Sequence, residues 1–320
     1  MIEVESISKA YDKHTVVSDI SFEIAVGKTL VLLGTSGSGK TTILKMINRL
    51  VDPDAGSIRV EGDDISQIKP EVLRRKMGYV IQQSGLFPHY SVGENIGLVP
   101  TLLGWSTDRI EQRVQELVEV VGLPEYYTNR YPHELSGGQQ QRVGIARALA
   151  VDPPIVLMDE PFGALDPITK QQMIREFASL GMLRKKTVVL VTHDVLEAFT
   201  LGDHICLLDQ GKIQQFGTPK ELLFHPKNDF VRSFFRAQQL RLGLEVTVLK
   251  DIVQPDDGRL STYSLEKSAI TFLDSTNVFT VLDKLEEEDA SQFVVERTQG
   301  EDIVLDRQQL IQWFFEYEQR

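Results

Sequence analysis

Three short runs in this chain, Thr29 to Leu33, Ile155 to Met158 and Val188 to Val191, are apolar or β-branched, with no polar residue alternating through them. A strand exposed on one face alternates with period two. Unbroken runs of this kind therefore predict strands buried on both faces, in a largely parallel sheet covered by helices. Each run ends at a polar motif: Gly34 to Thr41 after the first, Asp159-Glu160 after the second and Thr192-His193 after the third. Open α/β sheets bind ligands beyond the carboxyl ends of their strands, so three motifs placed there are expected to meet.

From residue 1 to about 235, short β-rich runs are separated by helical stretches, which predicts an α/β domain. Ile2 to Ser6 and Ile20 to Ile24 predict an antiparallel edge, and Gly56 to Val60 a strand entering a turn at Glu61-Gly62. In residues 107 to 122 the apolar positions Ile110, Val114, Leu117, Val118 and Val121 have the spacing of an amphipathic helix. That helix begins a helical subdomain over about residues 88–150, which continues through Leu135-Ser136-Gly137-Gly138 into a second helix, Gln139 to Ala150.

With 320 residues, 42% apolar and 25% charged, the chain is expected to form one large folded domain and a smaller appendage. Its apolar runs are strand-sized, far below the roughly 20 residues of a membrane helix, and Met1 to Glu5 lacks the basic flank and apolar core of a signal peptide. Cytosolic residence is the expectation. The one cysteine, Cys206, falls in an apolar run and reads as a buried, inert thiol. A net charge of −12 disfavours a sequence-independent hold on nucleic acid. Residues 1–235 balance to −4 and residues 236–320 to −8, so the tail is the acidic part.

Gly34-Thr35-Ser36-Gly37-Ser38-Gly39-Lys40-Thr41 fits the phosphate-binding pattern G-x-x-x-x-G-K-[S/T] between a buried strand and a helix. Small residues let backbone N–H groups curl around a phosphate, the helix start adds its positive end, and Lys40 reaches the outer oxygens. Thr41 is a candidate Mg²⁺ ligand. Asp159 and Glu160, adjacent at a strand end, face different ways. Asp159 is the expected metal carboxylate and Glu160 the group that polarises an attacking water. Taken alone such a pair reads as helix capping. Ser136 and the glycines after it open a second helix, about a hundred residues beyond the first phosphate loop. They offer a second anion-binding surface or, read alone, an ordinary cap.

In chain order, the phosphate loop, Leu135 to Gln140, Asp159-Glu160, Ala164-Leu165-Asp166 and Thr192-His193 resemble the ATP-binding cassette (ABC) ATPases over roughly residues 1–235. The resemblance implies a mixed β core with an antiparallel β edge and a helical signature subdomain. It implies ATP and Mg²⁺ as ligands, with Gly34 to Lys40, Thr41 and Thr42 on the phosphates and Thr41, Gln82 and Asp159 on the metal. It also implies a head-to-tail homodimer, in which Ser136, Gly137, Gly138 and Asp166 of one chain close over ATP held by the other. Tyr11 matches the adenine-stacking aromatic, although by itself it reads equally as an edge tyrosine. Gln82 matches the glutamine that links the site to a membrane partner, with Gln83 the neighbouring alternative. His193 matches the γ-phosphate histidine, so Glu160, His193 and Gln82 form the expected catalytic set. Gly163 departs from the frequent serine.

Leu44 to Leu50, Gly78 to Gln83, Leu103-Gly104-Trp105 and Asp159 to Pro167 are similar to the importer subset for quaternary-amine osmolytes such as glycine betaine, choline, carnitine and proline betaine. The implied partners are two membrane permease subunits and, indirectly, an extracytoplasmic binding protein, with no nucleic acid. The implied place is the cytoplasmic face of the cell membrane. Import of another small polar solute, and a non-transport ABC ATPase, are the alternatives. Residues 236–274 read as a linker with some strand content. Residues 275–320 read as a small α+β appendage: a helix over Thr280 to Glu288, strands over Gln292 to Glu296 and Asp302 to Leu305 around Thr298-Gln299-Gly300, and a helix over Asp306 to Glu318. The appendage resembles at most a single cystathionine-β-synthase (CBS)-like regulatory module, and a packing or dimerisation role stands beside that reading.

Overall fold

The computed structural model describes residues 1–82, 85–163, 165–180, 185–253, 270–298 and 302–318. The chain divides into two compact units, Met1–Thr218 and Pro219–Arg320.

The first unit carries strands β1 (Ile2–Tyr11), β2 (His14–Ile24), β3 (Thr29–Gly34), β4 (Ala55–Val60), β5 (Asp63–Asp64), β6 (Met77–Val80), β7 (Ile155–Asp159), β8 (Thr187–Thr192), β9 (His204–Asp209) and β10 (Lys212–Gly217). Its helices are α1 (Lys40–Ile47), α2 (Pro70–Arg75), α3 (Val92–Leu102), α4 (Thr107–Val120), α5 (Gly137–Leu149), α6 (Pro167–Ser179) and α7 (Val195–Leu201). The main sheet has six strands in the order β10-β9-β3-β8-β7-β6. It is parallel from β6 to β9, with β10 antiparallel at the edge. The predicted edge forms a second sheet, β2-β1-β4-β5, antiparallel throughout.

The unalternating runs are buried on both faces, as expected. Leu30, Leu32, Ile155, Leu157, Val189 and Val191 point into the core shared with α1 and the antiparallel sheet. Their neighbours Val31, Leu33, Val156, Met158, Val188 and Leu190 are equally buried on the other face. Each such side chain contributes about 1.5–3 kcal/mol of burial, so the sheet is the stable platform for the loops at its edge. Cys206 is fully buried in the same core, which pushes its thiol pKa well up and keeps it an unreactive thiol.

The helical subdomain is built from α3, α4 and α5, with Val114, Leu117, Val118 and Val143 buried. The first of these helices has no counterpart in the sequence reading. It is announced by a capping box, in which the Ser91 hydroxyl accepts from Glu94 N–H and the Glu94 carboxylate accepts from Ser91 N–H.

The second unit contains α8 (Pro219–Phe224), α9 (Asp229–Phe235), α10 (Gln239–Val246), α11 (Leu249–Ile252), β11 (Ile270–Leu273), α12 (Val278–Glu287), β12 (Gln292–Glu296), β13 (Ile303–Asp306) and α13 (Arg307–Glu318). In its sheet, β12 is central, with β11 parallel and β13 antiparallel to it. Leu249, Ile252, Val278, Phe293, Leu310 and Phe314 lie in one core. The appendage helices and strands fall within two residues of their expected bounds. The stretch read as a linker is different: it contributes α10, α11 and β11, whose apolar residues pack into this core. Residues 254–269 of that stretch, and Gln299-Gly300 of the expected turn, lie outside the described residues.

Candidate functional site

The strand order places the carboxyl ends of β3, β8 and β7 side by side, with Leu33 opposite Thr192 and Val191 opposite Asp159. The loop after β6, the next strand over, brings Gln82 to the same edge. A cavity of about 560 Å³ opens there, lined by Ser36 to Thr42 together with Val16, Gln82, Glu160 and His193.

The loop from Gly34 to Gly39 turns from strand to helix through left-handed backbone. Gly37 has φ +78°, with open space where a side chain would stand, and Gly39 has φ +96°, where a Cβ would lie 2.6 Å from the Val16 carbonyl oxygen. Replacing Gly39 by alanine therefore combines backbone strain with a clash against main chain. The expected cost is about 1–3 kcal/mol of stability, read as a lower midpoint in denaturant titration.

Lys40 is buried, and its ammonium donates to the Gly34 carbonyl at 3.0 Å and the Thr35 carbonyl at 2.8 Å. Burial lowers its pKa, while the Glu160 and Asp159 carboxylates act the other way. The Thr35 hydroxyl donates to Asp209 at 2.8 Å, which ties the loop to the end of β9.

The two adjacent carboxylates separate as expected, because the backbone turns sharply between them: Glu160 has φ +45°, costly for a residue with a side chain, and its N–H donates to the Val191 carbonyl at 2.9 Å. Asp159 faces α1 and accepts from the Thr41 hydroxyl at 2.9 Å. Burial raises its pKa, partly offset by that hydrogen bond. Glu160 turns into the cavity. One oxygen accepts from the Gln82 amide at 2.9 Å and the other lies 3.2 Å from His193 Nδ1. The carboxylate is thus held from both sides, in the cavity that the Lys40-anchored loop also lines. Gln83 lies outside the described residues, as does Ala164. A Cβ on Gly163 would lie in ordinary contact with the Glu160 carboxylate, at 3.4 Å.

Tyr11 is not among the cavity residues. It sits at the end of β1, about two-fifths exposed, paired with His14 across the hairpin. Val16, which the sequence reading did not single out, lines the cavity instead. Only its position on β2 beside the hairpin marked it.

Ser136, Gly137, Gly138 and Asp166 form a separate group. Ser136 caps α5, accepting from Gln139 N–H at 3.3 Å, and Asp166 caps α6, accepting from Thr169 N–H at 3.1 Å. Hydrogen bonds with Thr169 lower the Asp166 pKa. Gly138 packs against the start of α6, where a Cβ would lie 3.4 Å from both Leu165 and Thr169 side chains. Ser136 and Gly137 are exposed, and no member of the group lines the Lys40 cavity.

The ABC transporter family model matches residues 17–163. The chain is 51% identical to the glycine betaine uptake system ATP-binding protein YehX of Escherichia coli (strain K12), over 76% of this chain and 79% of that protein. It is 50% identical to the glycine betaine/carnitine/choline transport ATP-binding protein OpuCA of Bacillus subtilis (strain 168), over 75% of this chain but only 63% of that one, so it spans less than two thirds of this relative. Among solved structures, the dimeric structure of a bacterial ABC transporter cassette matches with a TM-score of 0.62 and 33% identity, covering 68% of this chain and 98% of that one.

Proposed function

The chain belongs to the ABC transporter ATPase family, and from that premise we propose that it is the motor subunit of an importer for quaternary-amine osmolytes, working as a homodimer. The observation that carries the dimer is the separation of the two phosphate-binding surfaces: the Ser136 cap is exposed and lies outside the cavity that holds Lys40. A second copy, laid head to tail, brings Ser136, Gly137, Gly138 and Asp166 over the loop of its partner and gives both surfaces one use.

In this reading the phosphates of ATP replace the Gly34 and Thr35 carbonyls as partners of Lys40, whose burial makes it a strong anion ligand. Gly34 to Thr42 enclose the phosphate chain, and Tyr11 serves the adenine from the edge of β1. Thr41, Asp159 and Gln82 offer oxygen ligands suited to Mg²⁺; the Thr41 to Asp159 hydrogen bond already places two of them together. When bound, Mg²⁺ supplies charge neutralisation on the phosphates. Glu160 accepts the proton of the attacking water, Gln82 and His193 hold its carboxylate in line, and His193 contacts the γ-phosphate.

Two membrane permease subunits complete the transporter, with an extracytoplasmic binding protein that reads the cargo. In this assembly the chain lies at the cytoplasmic face of the membrane; among its described residues no helix is long and apolar enough to cross one. A groove of about 1040 Å³ in the helical subdomain, walled by Tyr90, Leu98, Trp105, Ile110 and Tyr126, supports a docking face for a permease segment. The strand–helix–strand–strand–helix order of β11 to α13 supports one CBS-like regulatory module.

The cargo reading follows the names of the relatives at 40–51% identity. Its test is uptake of labelled glycine betaine, choline and carnitine at high osmolarity by cells that carry this chain or its Lys40→Ala variant. The expected result is loss of uptake of at least one of the three with Lys40→Ala. Equal uptake of all three overturns the reading, and loss confined to another small polar solute reassigns the cargo.

A further inference from the structure

Behind His193 lies a buried charged cluster for which the proposed mechanism has no role. Thr192, the last residue of β8, donates its hydroxyl to Glu197 Oε2 at 2.8 Å and accepts from the Asp194 N–H at 3.0 Å. Lys170, on α6 one turn beyond the Asp166 cap, places its ammonium 2.8 Å from Asp194 and 3.3 Å from the same oxygen of Glu197. The Glu197 side chain is 1% exposed. Its other oxygen, Oε1, is buried with no hydrogen-bond partner among the described residues.

A helix of seven residues capped by Asp194 has no need of a buried carboxylate in its first turn. Desolvating a carboxylate and leaving one oxygen unpaired is costly, so the group calls for a role beyond packing. The two elements it joins are informative. Through Thr192 it holds the residue next to His193, and through Lys170 it holds the helix that starts at Asp166.

We propose that Glu197 is a positioning residue that locks the His193 strand end and the Asp166 helix start into one geometry, so that the γ-phosphate contact and the partner-facing loop move together. The proposal rests on the roles given above to His193 and Asp166. Burial, opposed by Lys170 and the Thr192 hydrogen bond, raises the Glu197 pKa to about 7. The groups facing it are Lys170 of α6, Asp194 of the helix cap and Thr192 of β8. Neither β3 nor β8 carries a titratable residue. Above about pH 7 the carboxylate is ionised and accepts from both partners. Below it the group is protonated, the attraction to Lys170 is lost and the lock loosens.

The experiment uses Glu197→Gln, a neutral isostere of the protonated side chain, in the full chain. Steady-state ATPase rates of wild type and variant are measured from pH 6 to 8.5, with hydrogen exchange on the nucleotide-free proteins. The wild-type to variant kcat ratio is expected to be about ten at high pH and to fall toward one below the Glu197 pKa, with ATP affinity within about twofold. Exchange in the segments 166–174 and 191–199 should rise together, by about threefold or more. A ratio independent of pH, or faster exchange in 191–199 alone, overturns the proposal and leaves Glu197 a local packing residue. Should Glu197→Gln fail to fold, Lys170→Met removes the other half of the lock and is held to the same exchange criterion. A wild-type chain that hydrolyses no ATP refutes the proposed function, whereas the exchange criterion still decides the role of Glu197.

Discussion

Replacing Glu160 by glutamine is expected to lower ATP turnover by about a thousandfold while leaving ATP binding intact. The substitution keeps the shape of the side chain. The amide oxygen can still accept from Gln82, which lies 2.9 Å from the present carboxylate. The amide N–H can donate to His193 Nδ1, now 3.2 Å from the other oxygen. What is removed is the ability to take a proton from water. Because binding survives and chemistry does not, the variant should accumulate with ATP bound, as a dimer closed around two nucleotides. Phosphate release and size-exclusion chromatography with and without ATP check both halves. Turnover at the wild-type rate removes Glu160 from the base role, and a monomer in the presence of ATP removes the closed dimer.

That one carboxylate could be singled out from sequence has a physical reason. Strands buried on both faces must be apolar without interruption, so β3, β7 and β8 were visible as local runs. Polar residues at their ends were then conspicuous. The adjacency of the three ends depends on the order β3-β8-β7, which no local pattern carries; the expectation that the motifs meet rests on a general rule of open sheets. The elements that escaped notice hide for identifiable reasons. The helix α3 packs through Gly93 and Gly97, where a Cβ would come within 2.8 Å of Thr128 and Ile110. Its buried positions, Val92, Asn95, Ile96, Gly97 and Pro100, mix apolar, polar and small residues and give a weak periodic signal. The helices α10 and α11 span eight and four residues, too short to stand without the core they join. The contact of Thr35 with Asp209 spans 174 residues of sequence, and the Glu197 cluster draws on α6, α7 and β8 together. Such partners become visible only when the chain has folded.

The proposed dimer makes the second large prediction, because it would assign each active site to two chains. Lys40→Ala should abolish hydrolysis by removing the phosphate cation, and Ser136→Arg should abolish it by filling the partner-facing cap with a bulky charge. Ser136 is exposed and Lys40 lines a cavity from which it is absent, so neither substitution should disturb the other group within one chain. When the two inactive proteins are mixed, each mixed dimer has one site carrying both defects. The other site pairs an intact Lys40 with an intact Ser136. Random exchange at equal concentrations makes about half the dimers mixed, so activity should return to about a quarter of the wild-type level if the sites work independently. Mixing either variant with itself restores nothing. If each chain instead formed a complete site alone, the mixture would stay inactive at every ratio. Recovery that peaks at equal proportions therefore requires a shared site, and its absence, with exchange of chains verified by a labelled subunit, would place a complete site within each chain and overturn the shared one.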